Sequence, residues 1–145
     1  MDRDWWKVHR GEVEAFEGEL ISPHPNCFGA RRVAVGIAYR NSGAGAIALA
    51  AHFGATRIIL LGFDCQKTEG KAHWHGDHPR GLGNAGSVAK WPAQFQKLAQ
   101  DYRGLDIVNA TRHTALTCFP LVQLEYALRD NDSDMAMGRE SGIYA

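Results

Sequence analysis

The sequence predicts an α/β fold with a mostly parallel sheet covered by helices on both faces. Three observations carry this expectation. Strand and helix signals alternate from about residue 18 onward. The apolar run Ile58-Ile59-Leu60-Leu61 is continuous rather than alternating, as in a strand buried on both faces. Strand, tight turn, helix and strand also follow one another in about thirty residues, the size of a crossover unit. A three-layer, Rossmann-like arrangement is the architecture these signals predict.

Taken in order, residues 1–30 read as an N-terminal extension. Within it Asp4-Trp5-Trp6 is a packing anchor in preference to a stacking platform for a base or sugar. Glu19-Leu20-Ile21-Ser22 is a short strand ended by Pro23 and Pro25. Over residues 32–39, β-branched or aromatic side chains fall at every second position (Val33, Val35, Ile37, Tyr39), which suits a half-buried strand. Asn41-Ser42-Gly43 then supplies capping oxygens and a turn before an alanine-rich helix over 44–53, with Gly54 as its C′ residue. Residues 57–63 form the clearest strand. The long stretch 64–86 is rich in Gly, His and Asp, and connections of this length inside a compact domain are usually functional or mobile. A second helix covers 87–102, with Val88, Trp91, Phe95, Leu98 and Ala99 at helical spacing and Pro92 in its first turn. A strand at 105–109, a short helix at 121–128 and a polar tail at 129–145 complete one domain spanning residues 1–145. The start of the chain carries no glycine-rich strand–turn. A domain truncated at its N-terminus is therefore expected, with a sheet edge for a partner to cover.

Composition removes several classes of function. The chain has 145 residues, enough for one real core, and 45% of them are apolar. Sixteen basic residues balance sixteen acidic ones, leaving no excess to hold a nucleic-acid backbone. No apolar run approaches the roughly 20 residues of a membrane span. Met1-Asp2-Arg3-Asp4 does not resemble a signal peptide. Cys27, Cys65 and Cys118 are odd in number and widely spaced, which suits reduced thiols in a cytoplasm.

Chemistry concentrates in His73-Trp74-His75-Gly76-Asp77-His78, three imidazoles and a carboxylate in six residues. One reading is a metal site. His73, His75, Asp77 and His78 match the HxHxDH pattern and so resemble the metallo-β-lactamase superfamily, mostly zinc-dependent hydrolases. Such ligands suit zinc with an open position that activates water. That family sets the motif directly after a core strand, whereas residues 65–72 intervene here, and His113 is the one further histidine downstream. A second reading is acid–base catalysis. His75 or His78 would take a proton from a sugar hydroxyl at neutral pH, with Asp77 orienting the ring. The third is a solvated loop whose histidines pack around Trp74. Elsewhere, Asn41, Ser42, Gly43 and Gly45 at a helix mouth form an anion cradle, the glycines letting a phosphate or carboxylate approach the backbone. The same residues also suit an ordinary capped helix. Asp64 ends the strong strand at the carboxyl edge, where ligands bind in open α/β sheets, or else caps the following loop.

The ordered set of motifs resembles a known group. It comprises Asn41-Ser42-Gly43 opening an alanine-rich helix, then Gly54-Ala55-x-x-Ile58-x-Leu60-x-Gly62-Phe63-Asp64. The helix over 93–102, Ile107-Val108-Asn109-Ala110-Thr111, Ala115-Leu116 and Phe119-Pro120 follow. Across about 32–128 these look like the donor-binding half of bacterial CMP-sialic-acid-dependent sialyltransferases, and more closely like bacteriophage-encoded relatives of those enzymes. The resemblance implies a nucleotide-sugar-binding, glycosyltransferase-like protein acting on a CMP-linked donor in the cytoplasm of a bacterial host. Asn41, Ser42 and Gly43 would contact the donor, Asn109 and Thr111 would lie near the nucleotide, and a loop histidine would act as general base. No metal cofactor is implied. Because the glycine-rich first strand–turn is missing, the resemblance also leaves room for weak binding, for action as a homo-oligomer, or for a non-catalytic interaction protein that keeps the fold.

Overall fold

A computed structural model of the chain describes residues 3–71, 76–78 and 82–129. These residues form a mixed α/β structure with five α-helices and four short strands in two parallel, two-stranded sheets. The 129–145 tail lies outside the described residues except for Arg129.

The chain opens with two short helices, α1 (Arg3–Val8) and α2 (Arg10–Glu14), where the sequence signalled only an extension. Trp6, Val13 and Cys27 bury one another with Leu20, Phe28 and Ala30 around them, so Trp6 is a packing anchor. Trp5 stays 41% exposed and stacks on His9 at 4.7 Å between ring centroids. β1 (Ile21–Ser22) pairs in parallel with β2 (Arg31–Arg32), and Val33 N donating to Ser22 O extends the ladder.

The strand expected over 32–39 ends after Arg32, and residues 37–39 form a 3-10 turn (Ile37–Tyr39). Gly36 explains the break. Its φ is +69°, and a Cβ there would stand 2.6 Å from the Cα of Gly45, so the chain turns against the next helix in a way only glycine permits. Of the alternating apolar residues, Val33 and Tyr39 are buried, along an irregular path and not in a strand.

α3 (Ser42–His52) has both ends where the sequence puts its signals. Asn41 Oδ1 accepts a hydrogen bond from Ala44 N at 3.2 Å. At the other end Gly54 takes φ +89°, with Gly54 N donating to Ala51 O and Ala55 N to Ala50 O, the paired bonds of a Schellman stop. β3 (Arg57–Leu60) then pairs in parallel with β4 (Asp106–Asn109), in the register Arg57↔Asp106 to Leu60↔Asn109. α4 (Trp91–Asp101), with Pro92 in its first turn and a 3-10 turn Val88–Lys90 before it, lies between these strands in sequence. The crossover unit is therefore β3–α4–β4 and not residues 32–63, because β2 pairs with β1 rather than β3. α5 (Leu124–Ala127) is shorter than the expected helix, since Leu121 instead bridges in parallel to Asn109.

Ala44, Ile47 and Ala48 of α3 face a core shared with Leu60, Ile107, Phe95 and Leu98, closed by Leu116 and Phe119. Phe95 and Leu98 are essentially inaccessible, each worth about 1.5–3 kcal/mol of apolar burial. Among the described residues no helix is long and apolar enough to cross a membrane.

Candidate functional site

The carboxyl end of β3 is held by the turn that follows β4. Thr111 Oγ1 accepts from Phe63 N at 2.9 Å, Thr114 Oγ1 donates to Phe63 O at 2.6 Å, and Ala115 N donates to Asp64 O at 2.8 Å. These bonds set Asp64 at the rim of the sheet, where its carboxylate also meets Thr68 Oγ1 at 3.4 Å. Cys65 follows at φ +51° and is buried. Burial first, then the neighbouring Cys118 and Asp64, push its thiol up to about 11, so at neutral pH it stays protonated and is a poor nucleophile.

Facing this rim is the first turn of α3. Asn41 is committed to structure, because its Oδ1 caps Ala44 and its Nδ2 donates to Gln94 Oε1 at 3.2 Å. Gly43 is equally constrained. A Cβ there would stand 2.9 Å from Phe63 Cε1 and 3.2 Å from Phe95 Cζ, two rings already in edge contact. Glycine thus brings the helix mouth flush against the aromatic pair.

Between turn and rim lies a cavity of about 1240 Å³. Of the residues singled out in the sequence, Asn41, Ser42, Gly43, Gly45, Asp64 and His78 border it. The backbone N of His78 donates to Asn84 Oδ1 at 2.7 Å, which fixes the chain there. Asp77 is exposed and does not border the cavity, while His73 and His75 lie outside the described residues. Among the described residues no group of three or more His, Cys, Asp or Glu side chains is placed to hold a metal ion.

Two residues implied by the resemblance are placed differently. Asn109 is wholly buried, with its Oδ1 accepting from Thr111 N at 3.0 Å and its Nδ2 donating to Leu116 O at 3.4 Å. Its polar atoms are spent on the chain itself, and it does not border the cavity. Thr111 borders a second cavity, of about 510 Å³, which meets the first at Gly62 and Asp64.

No family model, curated protein or solved structure matches this chain. The geometry of the site brings in two residues outside the motifs legible in the sequence. Arg40 takes φ +51° directly before the cap, borders the cavity and has no hydrogen bond or ion pair among the described residues. A basic residue just before a capping asparagine was the available signal. Trp91 reads in sequence as helix core, yet it is half-buried on the cavity wall, its Nε1 donating to Ser87 Oγ at 3.1 Å. An unpaired guanidinium, a helix mouth and a fixed indole together suit a ligand that joins an anionic group to a planar ring.

Proposed function

We propose that the chain is a nucleotide-sugar-binding, glycosyltransferase-like protein, related to phage-encoded sialyltransferase-like proteins and acting in the cytoplasm of a bacterial host. The observation that carries the reading is the single cavity bordered by the first turn of α3, Arg40, Asp64, Trp91 and His78. β3–α4–β4 is one crossover unit of the kind that builds a Rossmann-like sheet, and the cavity sits at its carboxyl end.

In this proposal the phosphate of a CMP-linked sugar lies against the helix mouth and Arg40, and the base lies on Trp91. The oxygen of an acceptor hydroxyl attacks the anomeric carbon. The bond from that carbon to the phosphate oxygen breaks, and the nucleotide leaves with the electron pair. His78 takes the hydroxyl proton as general base.

Thermal denaturation with CMP and CMP-sialic acid tests the binding step. Stabilisation of about 2.7 kcal/mol is expected at a hundredfold excess over the dissociation constant. Arg40→Ala and Trp91→Ala should each weaken the response, whereas His78→Ala should keep it and lose transfer. A chain indifferent to both cytidine compounds at millimolar concentration would reject the reading.

A further inference from the structure

The second cavity, at the carboxyl ends of β3 and β4, has a preformed wall, because the bonds from Phe63 to Thr111 and Thr114 hold the two strand exits together. Its volume, about 510 Å³, is within the usual range for small-molecule sites. Charges of both signs border it: Arg112 just beyond β4, Glu125 in the first turn of α5, and Asp64 on the wall shared with the larger cavity.

Several neighbouring opposite charges elsewhere in the described chain close on one another. Lys7 meets Asp4 at 3.1 Å, Arg10 meets Glu14 at 2.7 Å, and Arg31 meets Glu19 at 2.6 Å. Arg112 and Glu125 border one small cavity, yet among the described residues neither forms an ion pair or side-chain hydrogen bond. Opposite charges that border one cavity without pairing suit a ligand that carries both charges and disfavour an ion that carries one. Leu124 and Leu61, the latter 55% exposed, add apolar surface beside them.

We propose that this cavity binds a zwitterionic small molecule, an α-amino acid with an aliphatic side chain. Its carboxylate meets Arg112, its ammonium group meets Glu125 and Asp64, and its side chain lies on Leu61 and Leu124. The assignment does not depend on the donor reading of the larger cavity.

Calorimetric titration of the full chain with L-leucine tests it, beside 4-methylpentanoate, which lacks the ammonium group, and 3-methylbutylamine, which lacks the carboxylate. Saturable binding of L-leucine is expected, with each half-ligand weaker by about tenfold or more. Arg112→Ala and Glu125→Gln should each weaken L-leucine by a similar factor. Absence of saturable binding, undiminished binding in both variants, or 4-methylpentanoate binding as tightly as L-leucine would overturn the proposal. Both residues are exposed, so the variants should melt as the parent does, and the half-ligand comparison on the unaltered chain decides the matter even if one does not.

Discussion

Two asparagines hold turns beside the core, and they do so in different surroundings. Asn41 caps α3 at the cavity wall, while Asn109 sits fully buried at the end of β4 and satisfies one amide and one carbonyl of the following turn. Asn41→Ala should cost about 1 kcal/mol, the usual value of a lost cap. Asn109→Ala leaves two buried backbone groups without partners and should cost about 1–3 kcal/mol for each. Urea denaturation of both variants checks the order, and an Asn109→Ala variant as stable as Asn41→Ala would refute this account of the turn. The cap was legible in the sequence because its partner lies three residues away. The role of Asn109 was not, because its partner Leu116 lies seven residues on, in a segment with no local pattern.

At the scale of elements, the 3-10 turn Ile37–Tyr39 is tied to α4 by one side-chain network. Tyr39 Oη donates to Asp101 Oδ2 at 2.7 Å, and Lys97 Nζ donates to the same oxygen at 2.7 Å while lying over the Tyr39 ring. Burial, and secondarily the bond to Asp101, raises the Tyr39 hydroxyl above its ordinary range. Lys97 and then Tyr39 hold the Asp101 carboxyl below its own. The folded chain therefore keeps the tyrosine proton more firmly than the unfolded chain does. That contribution is complete below about pH 10 and is lost as pH rises further. The depressed Asp101 acts in the opposite direction, contributing above about pH 4 and losing its effect as pH falls. Urea midpoints should fall above pH 10 in the parent and fall less in Tyr39→Phe; equal alkaline losses would remove Tyr39 as the cause. At the neighbouring junction, Gly36→Ala should destabilise by about 1–2 kcal/mol for the left-handed backbone and about 1–3 kcal/mol for crowding Gly45, measurable by thermal denaturation. A variant as stable as the parent would mean that the chain does not approach α3 so closely. Helix α3 was readable because its start, face and stop agree. Residues 32–39 misled because apolar alternation records burial and says nothing about which strand, if any, lies alongside.

For the molecule as a whole, the mixed α/β character follows from local pattern, whereas the sheet partners do not. β2 pairs with β1, a near neighbour in sequence, and β3 pairs with β4 across a helix, so two small sheets stand where one three-layer sheet was expected. Asn41, Ser42, Gly43, Gly45, Asp64 and His78 border one cavity because the first turn of α3 faces the β3 exit; the turn and helix were legible in the sequence, whereas the strand expected before them does not form. Arg40 and Trp91 were harder to see, because only the fold turns them toward that space. Metal removal addresses the histidine motif directly. Dialysis against EDTA should leave the response to CMP intact. A response lost on dialysis and restored by zinc would shift the reading to a hydrolase using His73, His75, Asp77 and His78.

The parallel pairing of β3 with β4 has a consequence for how this protein can vary. Between the end of β3 at Leu60 and the start of α4 at Trp91, Phe63 and Asp64 are bonded to the turn after β4, Cys65 is buried and Val88–Lys90 is already a 3-10 turn, so the register of β3 and β4 rests on contacts close to the strands. Doubling the length of such a tethered segment adds only about 0.6 kcal/mol of closure entropy. Closure entropy alone therefore penalises a longer connection between these anchors by less than one ordinary helix cap is worth.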